Sequence, residues 1–243
     1  MLGHTLLLIF IILAILIIFS PPSPPPSTLI TLSPQDIVYV DIVHTFFNDP
    51  RRISYEVDLI KEKVVRRHTG VDIECLTGDR VNALNEKGVY TTGVDTSKYM
   101  IRDAKQRFEN VFIHGEYTPL LFQEQTISHV TCLNYNYAFI RDKDALFQSV
   151  HHWLEPEGLF IVHIPSPWKY GSDSSKYTSS LVHQQLRQTF VMDKTYKMNR
   201  PVYAESKKKI IDRAEQHGFK VYATWTLPFP YDHQIVAFAS LVY

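Results

Sequence analysis

Cysteine is scarce, with only Cys75 and Cys132 in 243 residues. A disulfide-stapled secreted scaffold and a cysteine-rich zinc site both need more thiols than that. Both cysteines fall near the ends of expected strands, and they read as buried free thiols, which points to a cytoplasmic soluble domain. The eleven histidines show no HExxH or comparable ligand spacing, and adjacent His151 and His152 on a helix face different sides, so no metal is expected. An excess of charge is also missing. Lys plus Arg and Asp plus Glu number 25 each, for a formal net charge of zero. A neutral chain has no electrostatic reason to seek a polyanion, so nucleic acid is not an expected partner. The short runs Lys207-Lys208-Lys209 and Arg66-Arg67 read as solvated helix faces.

The amino-terminal residues lack charge for a different reason. Residues 2–19 are almost wholly apolar, and at helical rise they span about 27 Å, close to a bilayer core of about 30 Å. A signal peptide is the competing reading, but no Lys or Arg precedes the run and Ser20-Pro21-Pro22 is no small-x-small cleavage site. The expectation is an uncleaved single-pass anchor over residues 1–20. Residues 21–32 then form a proline-rich polyproline II spacer, followed by one domain over 33–243.

Within that domain the pattern alternates. Residues 33–43 suit either a strand or a first helix, and Ile53–His68 has apolar residues at helical spacing. Strands are expected over Val71–Cys75, Val89–Val94, Val111–His114, Ile127–Leu133 and Leu159–Ile164. Helices between them are expected near Asp79–Glu86, Ser97–Phe108 and Asp142–Leu154. Residues 165–201 form a polar, serine-rich insertion with a helical stretch near Leu181–Phe190, placed to cap a pocket. A helix over Tyr203–His217 and strands Phe219–Thr226 and Gln234–Tyr243 close the chain, with one antiparallel strand at the sheet edge. The fold class is therefore α/β, a Rossmann-like doubly wound sheet that is mostly parallel with an antiparallel last strand.

Val71-Asp72-Ile73-Glu74-Cys75-Leu76-Thr77-Gly78, followed by Gly93-Val94-Asp95-Thr96-Ser97, resembles the first two motifs of the class I S-adenosylmethionine-dependent methyltransferases. The resemblance continues through Lys98–Lys105, His114-Gly115-Glu116 and Leu154-Glu155-Pro156-Glu157-Gly158, and covers the chain from about Val71 to Tyr243. It implies S-adenosylmethionine as cofactor and a small-molecule or protein methyl acceptor. The cofactor set it implies is Asp72, Glu74, Gly78, Asp95, Thr96, Met100, Glu116, Tyr117 and Asn134. In that reading Asp95 accepts ribose hydroxyls, Glu116 the adenine amine, and Asp72 the ligand's ammonium. Asp95 also suits a helix cap, Glu116 a surface acid, and Met100 an ordinary core position.

Two departures stand out, because Glu74 and Leu76 occupy positions where the family's motif has glycine. Glycine there allows positive φ and close approach of backbone to ligand. The acceptor side offers Asn134, Tyr135 and Tyr137 after the fourth strand and His163 in the fifth, with core packing as the alternative role for the aromatics and the histidine. Methyl transfer to a good nucleophile needs alignment and desolvation more than a base. The expected function is a membrane-anchored methyltransferase-like protein; the alternative is a catalytically inactive binding or scaffolding module on the same fold.

Overall fold

The computed structural model describes residues 29–64, 69–164, 177–182, 184–228 and 234–241. The anchor expected over residues 1–20 lies outside these. Among the described residues no helix is long and apolar enough to cross a membrane.

The chain begins with β1 (Leu29–Leu32), α1 (Val38–Ile42) running into a π-helical turn (Val43–Phe47), and α2 (Pro50–Val64). Alternation follows with β2 (Gly70–Ile73), α3 (Asp79–Glu86), β3 (Thr91–Asp95), α4 (Lys98–Arg107) and β4 (Phe112–His114). Next come β5 (Ile127–Cys132), a 3-10 turn at Asn136–Phe139, α5 (Lys143–Trp153) and β6 (Leu154–Ile164). The last third holds β7 (Tyr177–Val182), β8 (Gln185–Val191), β9 (Thr195–Pro201), α6 (Lys207–Gln216), β10 (Phe219–Thr226) and β11 (Gln234–Ser240).

The main sheet has seven strands in the order β10-β11-β6-β5-β2-β3-β4. β11 is antiparallel to both neighbours, and the β2, β3, β4, β5 and β6 pairings are parallel. The antiparallel strand is therefore not at the edge, as expected, but lies between β6 and β10. Period-two burial in β6 divides the core between the faces. Phe160 and Val162 pack with Trp153, Phe147 and Leu146 of α5 and Ile210 of α6. Leu159 and Ile161 pack with Val57 and Ile60 of α2. The sheet is thus covered on both sides, which a largely parallel sheet requires because both faces are apolar.

The insertion contains no helix among its described residues. β7, β8 and β9 form an antiparallel meander, and β1 adds to β9 in parallel to complete a four-stranded cap sheet. Leu29–Leu32, placed in the spacer from sequence, is thus a strand of the cap. The helix expected near Leu181–Phe190 is replaced because Leu186, Gln188 and Phe190 point inward at alternate positions. Gln188, polar yet buried, hides the period of two. The last helix also starts later than expected. Ser206 caps it, its Oγ accepting from the Lys209 N–H at 3.2 Å.

Candidate functional site

The loop after β2 keeps a glycine-like path without the glycines. Glu74 and Leu76 sit at φ 54° and 53°, in the left-handed region, and Gly78 follows at 79°. The left-handed conformation costs an L-residue roughly 1–2 kcal/mol, so the surroundings must hold these two residues in place. The Leu76 N–H donates to Asp95 Oδ2 at 2.9 Å, the Glu74 carbonyl accepts from Asn136 Nδ2 at 2.9 Å, and the Cys75 N–H binds the Val94 carbonyl at 3.1 Å. Gly78 itself cannot be replaced cheaply. A Cβ there would lie 2.6 Å from the Phe112 ring, on a backbone already at positive φ.

The two departures have different fates. The Leu76 side chain is buried among Met100 of α4, Ile42 and Val43 of α1 and its π-turn, and Phe190 and Met198 of the cap sheet. It ties the cap to the loop. Met100 takes the core role rather than a place at an open surface. The half-buried Glu74 side chain turns the other way, and its Oε1 accepts from the Tyr117 hydroxyl at 2.6 Å. Burial, and then the Glu74 charge, push the Tyr117 hydroxyl well above its usual range.

Asp95 closes β3 and is almost fully buried. Its Oδ1 accepts from the Ser97 N–H at 2.7 Å and its Oδ2 from Leu76. Burial raises its pKa well above the carboxylate range, with the Glu74 charge adding to the rise and Arg200 of the cap opposing it. A carboxylate offers about four lone-pair positions, so one per oxygen is left over. Beside it, the buried Ser97 Oγ has no partner among the described residues. Ser97, not Asp95, is the residue before the first turn of α4. Thr96 is half-buried, its carbonyl 3.0 Å from His114 Nε2. Glu116 is exposed.

Asp72 is buried and held by neighbouring side chains. Its Oδ1 accepts from Thr131 Oγ1 at 2.5 Å and its Oδ2 lies 3.5 Å from Arg80 Nη1. Arg80 also grips Glu56 Oε2 at 2.9 Å, and all three side chains are buried. Burial raises Asp72, despite Arg80. Burial would raise Glu56 as well, but Arg80, Arg52 and His163 together hold it below its ordinary value. This network beneath the loop is invisible in sequence order, because Glu56 and Arg80 come from two different helices.

On the acceptor side, Asn134 and Tyr135 are also left-handed, at φ 55° and 59°. Arg52 Nη2 donates to Asn134 Oδ1 at 2.5 Å and to the Phe47 carbonyl at 2.8 Å. Tyr135 stacks on His163, with ring centroids 4.5 Å apart and planes at 14°. His163 is fully buried and 3.9 Å from Glu56 Oε1. Burial lowers its pKa to about 4, against the pull of Glu56, so it stays neutral at ordinary pH. Tyr137 takes the core alternative: fully buried, edge-on to Phe147, it donates to Glu205 Oε2 at 3.0 Å. Neither His163 nor Tyr137 stands as an open base.

Elsewhere, a cleft of about 420 Å³ lined by Gln125, His151, His152 and His217 opens at the amino-terminal ends of the strands, away from these motifs. Among the described residues no three His, Cys, Asp or Glu side chains are gathered as for a metal ion. Both cysteines are free and buried.

The sheet order, the loop after β2 and the acid closing β3 together define a class I S-adenosylmethionine-dependent methyltransferase fold. Residues 71–162 match the family model described as a methyltransferase domain. A Bacillus subtilis (strain 168) protein, YqeM, named provisionally as a methyltransferase, is 30% identical over 112 residues, 41% of this chain. The chain spans 43% of that relative's length. Among solved structures, an S-adenosylmethionine-dependent methyltransferase from Clostridium acetobutylicum ATCC 824 superposes with a TM-score of 0.65 at 17% identity, covering 84% of this chain and 97% of the other. CalS10, an amino pentose methyltransferase from Micromonospora echinaspora solved with S-adenosylmethionine bound, gives 0.61 at 13% identity, covering 84% and 97%. The protein is methyltransferase-like, and the stretch that matches the family model runs from β2 into β6.

Proposed function

We propose that this chain binds S-adenosylmethionine and transfers its methyl group to an acceptor under the cap, with the domain held at a membrane by residues 2–19. The observation that carries the reading is Asp95. Among the described residues its carboxylate keeps one lone pair free on each oxygen and the neighbouring Ser97 hydroxyl has no partner, under a loop that retains the left-handed path of a glycine motif. A ribose diol fits that set of acceptors and donor. S-adenosylmethionine, when bound, supplies an electrophilic methyl carbon on a positively charged sulfur.

The chain's residues then have distinct tasks. Asp95 and Ser97 would orient the ribose. Glu74, freed from Tyr117, would face the cofactor's cationic groups and so ease its repulsion of Asp95. The amides at the start of α3, after Gly78, favour the cofactor's carboxylate. The cap excludes water, which strengthens these interactions.

Ultraviolet crosslinking of methyl-labelled S-adenosylmethionine to the full chain tests the reading. Labelling should be displaced by S-adenosylhomocysteine and lost in Asp95→Ala. Labelling that neither displaces nor depends on Asp95 contradicts it. Alkaline carbonate extraction of membranes tests the anchor, which keeps the full chain in the pellet; release into the supernatant contradicts it.

A further inference from the structure

Resting on the reading that residues 2–19 hold the domain at a membrane, we propose that the outward face of the cap sheet docks on anionic phospholipid headgroups.

The register of the four strands fixes which side chains share that face. Leu29, Thr195 and Val191 stand side by side on β1, β9 and β8, and the next row along is Thr31, Lys197 and Thr189. The row beyond holds Asn199, Arg187 and Ser180 on β9, β8 and β7. Directly paired residues lie on one side of a sheet. The alternate residues Leu32, Tyr196, Met198, Leu186 and Phe190 are buried, so the three rows form the outward side. All but Thr195 and Thr189 are exposed there.

The chemistry of this face selects an anionic partner. No Asp or Glu occurs in any of the four strands, in a chain whose acids and bases balance. Lys197 and Arg187 thus have no acidic neighbour on the sheet, and as diagonal neighbours on adjacent strands they lie about 7–8 Å apart. Asp193, in the turn between β8 and β9, is engaged by the Tyr196 hydroxyl at 3.1 Å and is followed by Lys194. Hydroxyl and amide side chains surround both cations. Thr31 and Thr189 flank Lys197, and Asn199 and Ser180 flank Arg187. All of them can donate to phosphate oxygens, which only accept.

The course of the chain selects a bilayer over a dissolved anion. The apolar run of residues 2–19 is followed by residues 20–28, which extend roughly 30 Å at most, and then by Leu29 at the start of β1. The cap is therefore the part of the domain tethered nearest to that run. Leu29 is 54% exposed and Val191 38%, so the row at this end of the face is apolar. Apolar side chains beside cations suit a membrane interface, where the apolar groups enter the headgroup region and the cations meet anionic lipid within a Debye length of about 8–10 Å. The inward side of the same strands packs on Leu76, so the docked sheet stands between the bilayer and the loop after β2.

The test reconstitutes the full chain into vesicles of phosphatidylcholine, alone or with phosphatidylserine, carrying a nitrobenzoxadiazole dye on Asn199→Cys. Cys75 and Cys132 are buried and stay unlabelled. Lipids spin-labelled at the headgroup should quench this dye in the phosphatidylserine vesicles and far less in phosphatidylcholine. Salt at about 1 M, where the screening length is about 3 Å, should abolish the difference. The double variant Arg187→Gln, Lys197→Gln should lose the phosphatidylserine-dependent quenching at unchanged melting temperature. A dye on Lys105→Cys, on the exposed basic face of α4 with Lys98 and Arg102, should be quenched in neither lipid. No quenching at Asn199→Cys, equal quenching at both sites or in both lipids, or no effect of the double variant overturns the proposal. Flotation separates it from the anchor. A chain that floats only with phosphatidylserine and is released by salt has the docking face without the anchor, and a chain that floats with neither lipid contradicts both.

Discussion

The backbone N–H of Leu76 donates to Asp95 Oδ2 at 2.9 Å. Leu76 stands where the motif has glycine, yet it adopts glycine's left-handed conformation and binds the acid at the end of the next strand. Its side chain joins the apolar cluster under the cap. Glu74, also left-handed, sends its side chain to Tyr117 instead. The two substitutions therefore predict opposite responses to reversion.

Leu76→Gly relieves roughly 1–2 kcal/mol of backbone strain but empties a buried position in the cluster, where loss of a leucine side chain costs about 2–5 kcal/mol. The cavity wins, and urea denaturation should show a net loss of roughly 1–3 kcal/mol. Glu74→Gly loses no comparable burial and should be neutral or slightly stabilising. Equal destabilisation by both would contradict the anchoring role given to Leu76.

Tyr117→Phe removes the hydroxyl that engages Glu74 while keeping the ring. S-adenosylhomocysteine should bind roughly fivefold or more tightly, since a neutral-to-charged hydrogen bond of about 1–3 kcal/mol no longer has to be broken first. Isothermal calorimetry reads this directly, and weaker binding would place Tyr117 among the cofactor's own contacts.

Glu56→Gln should cost about 3–5 kcal/mol in urea denaturation, because it leaves Arg80 and Arg52 charged with half of their shared partner gone. A change under 1 kcal/mol would show that the buried network does not brace the loop.

His163 sets a pH dependence. Its folded pKa of about 4 lies below the ordinary histidine value of 6.5, so between these pH values the unfolded chain binds the extra proton. Stability contributed by this group is full above pH 6.5 and falls as pH drops toward 4, by about 3 kcal/mol at the limit. Glu56, also lowered, adds a loss at still lower pH. Buried Asp72 and Asp95 are raised, so they take up protons first in the folded state and oppose the trend. Melting curves of wild type against His163→Gln isolate the histidine, and the variant should show the flatter slope from pH 6.5 to 4. Parallel slopes would contradict a neutral buried His163.

Much of the fold is legible along the chain because β2 to α5 are built from local signals: apolar runs at period two, helices ending at Gly88 or capped by Asp142. The cap is not, since Gln188 breaks its alternation and β1 gains meaning only by pairing with β9, more than 160 residues away. The places of Asp95 at the end of β3 and of Gly78 before α3 are readable from spacing. Arg52, Arg80 and Arg200 are not, because each meets its partner only through tertiary packing. Nor does sequence reveal that Leu76 packs into the cluster under the cap while Glu74 binds Tyr117, a matter of where two side chains point from the same backbone conformation.

The central claim is that a loop with leucine and glutamate at glycine positions still admits the cofactor. Calorimetric titration of the full chain with S-adenosylmethionine, against Asp95→Ala, tests it most directly. The account predicts saturable one-to-one binding that Asp95→Ala weakens by about 1–3 kcal/mol, the usual loss for hydrogen bonds to a charged group. No heat at millimolar ligand in the wild type would contradict it and leave a non-catalytic binding module on a methyltransferase fold.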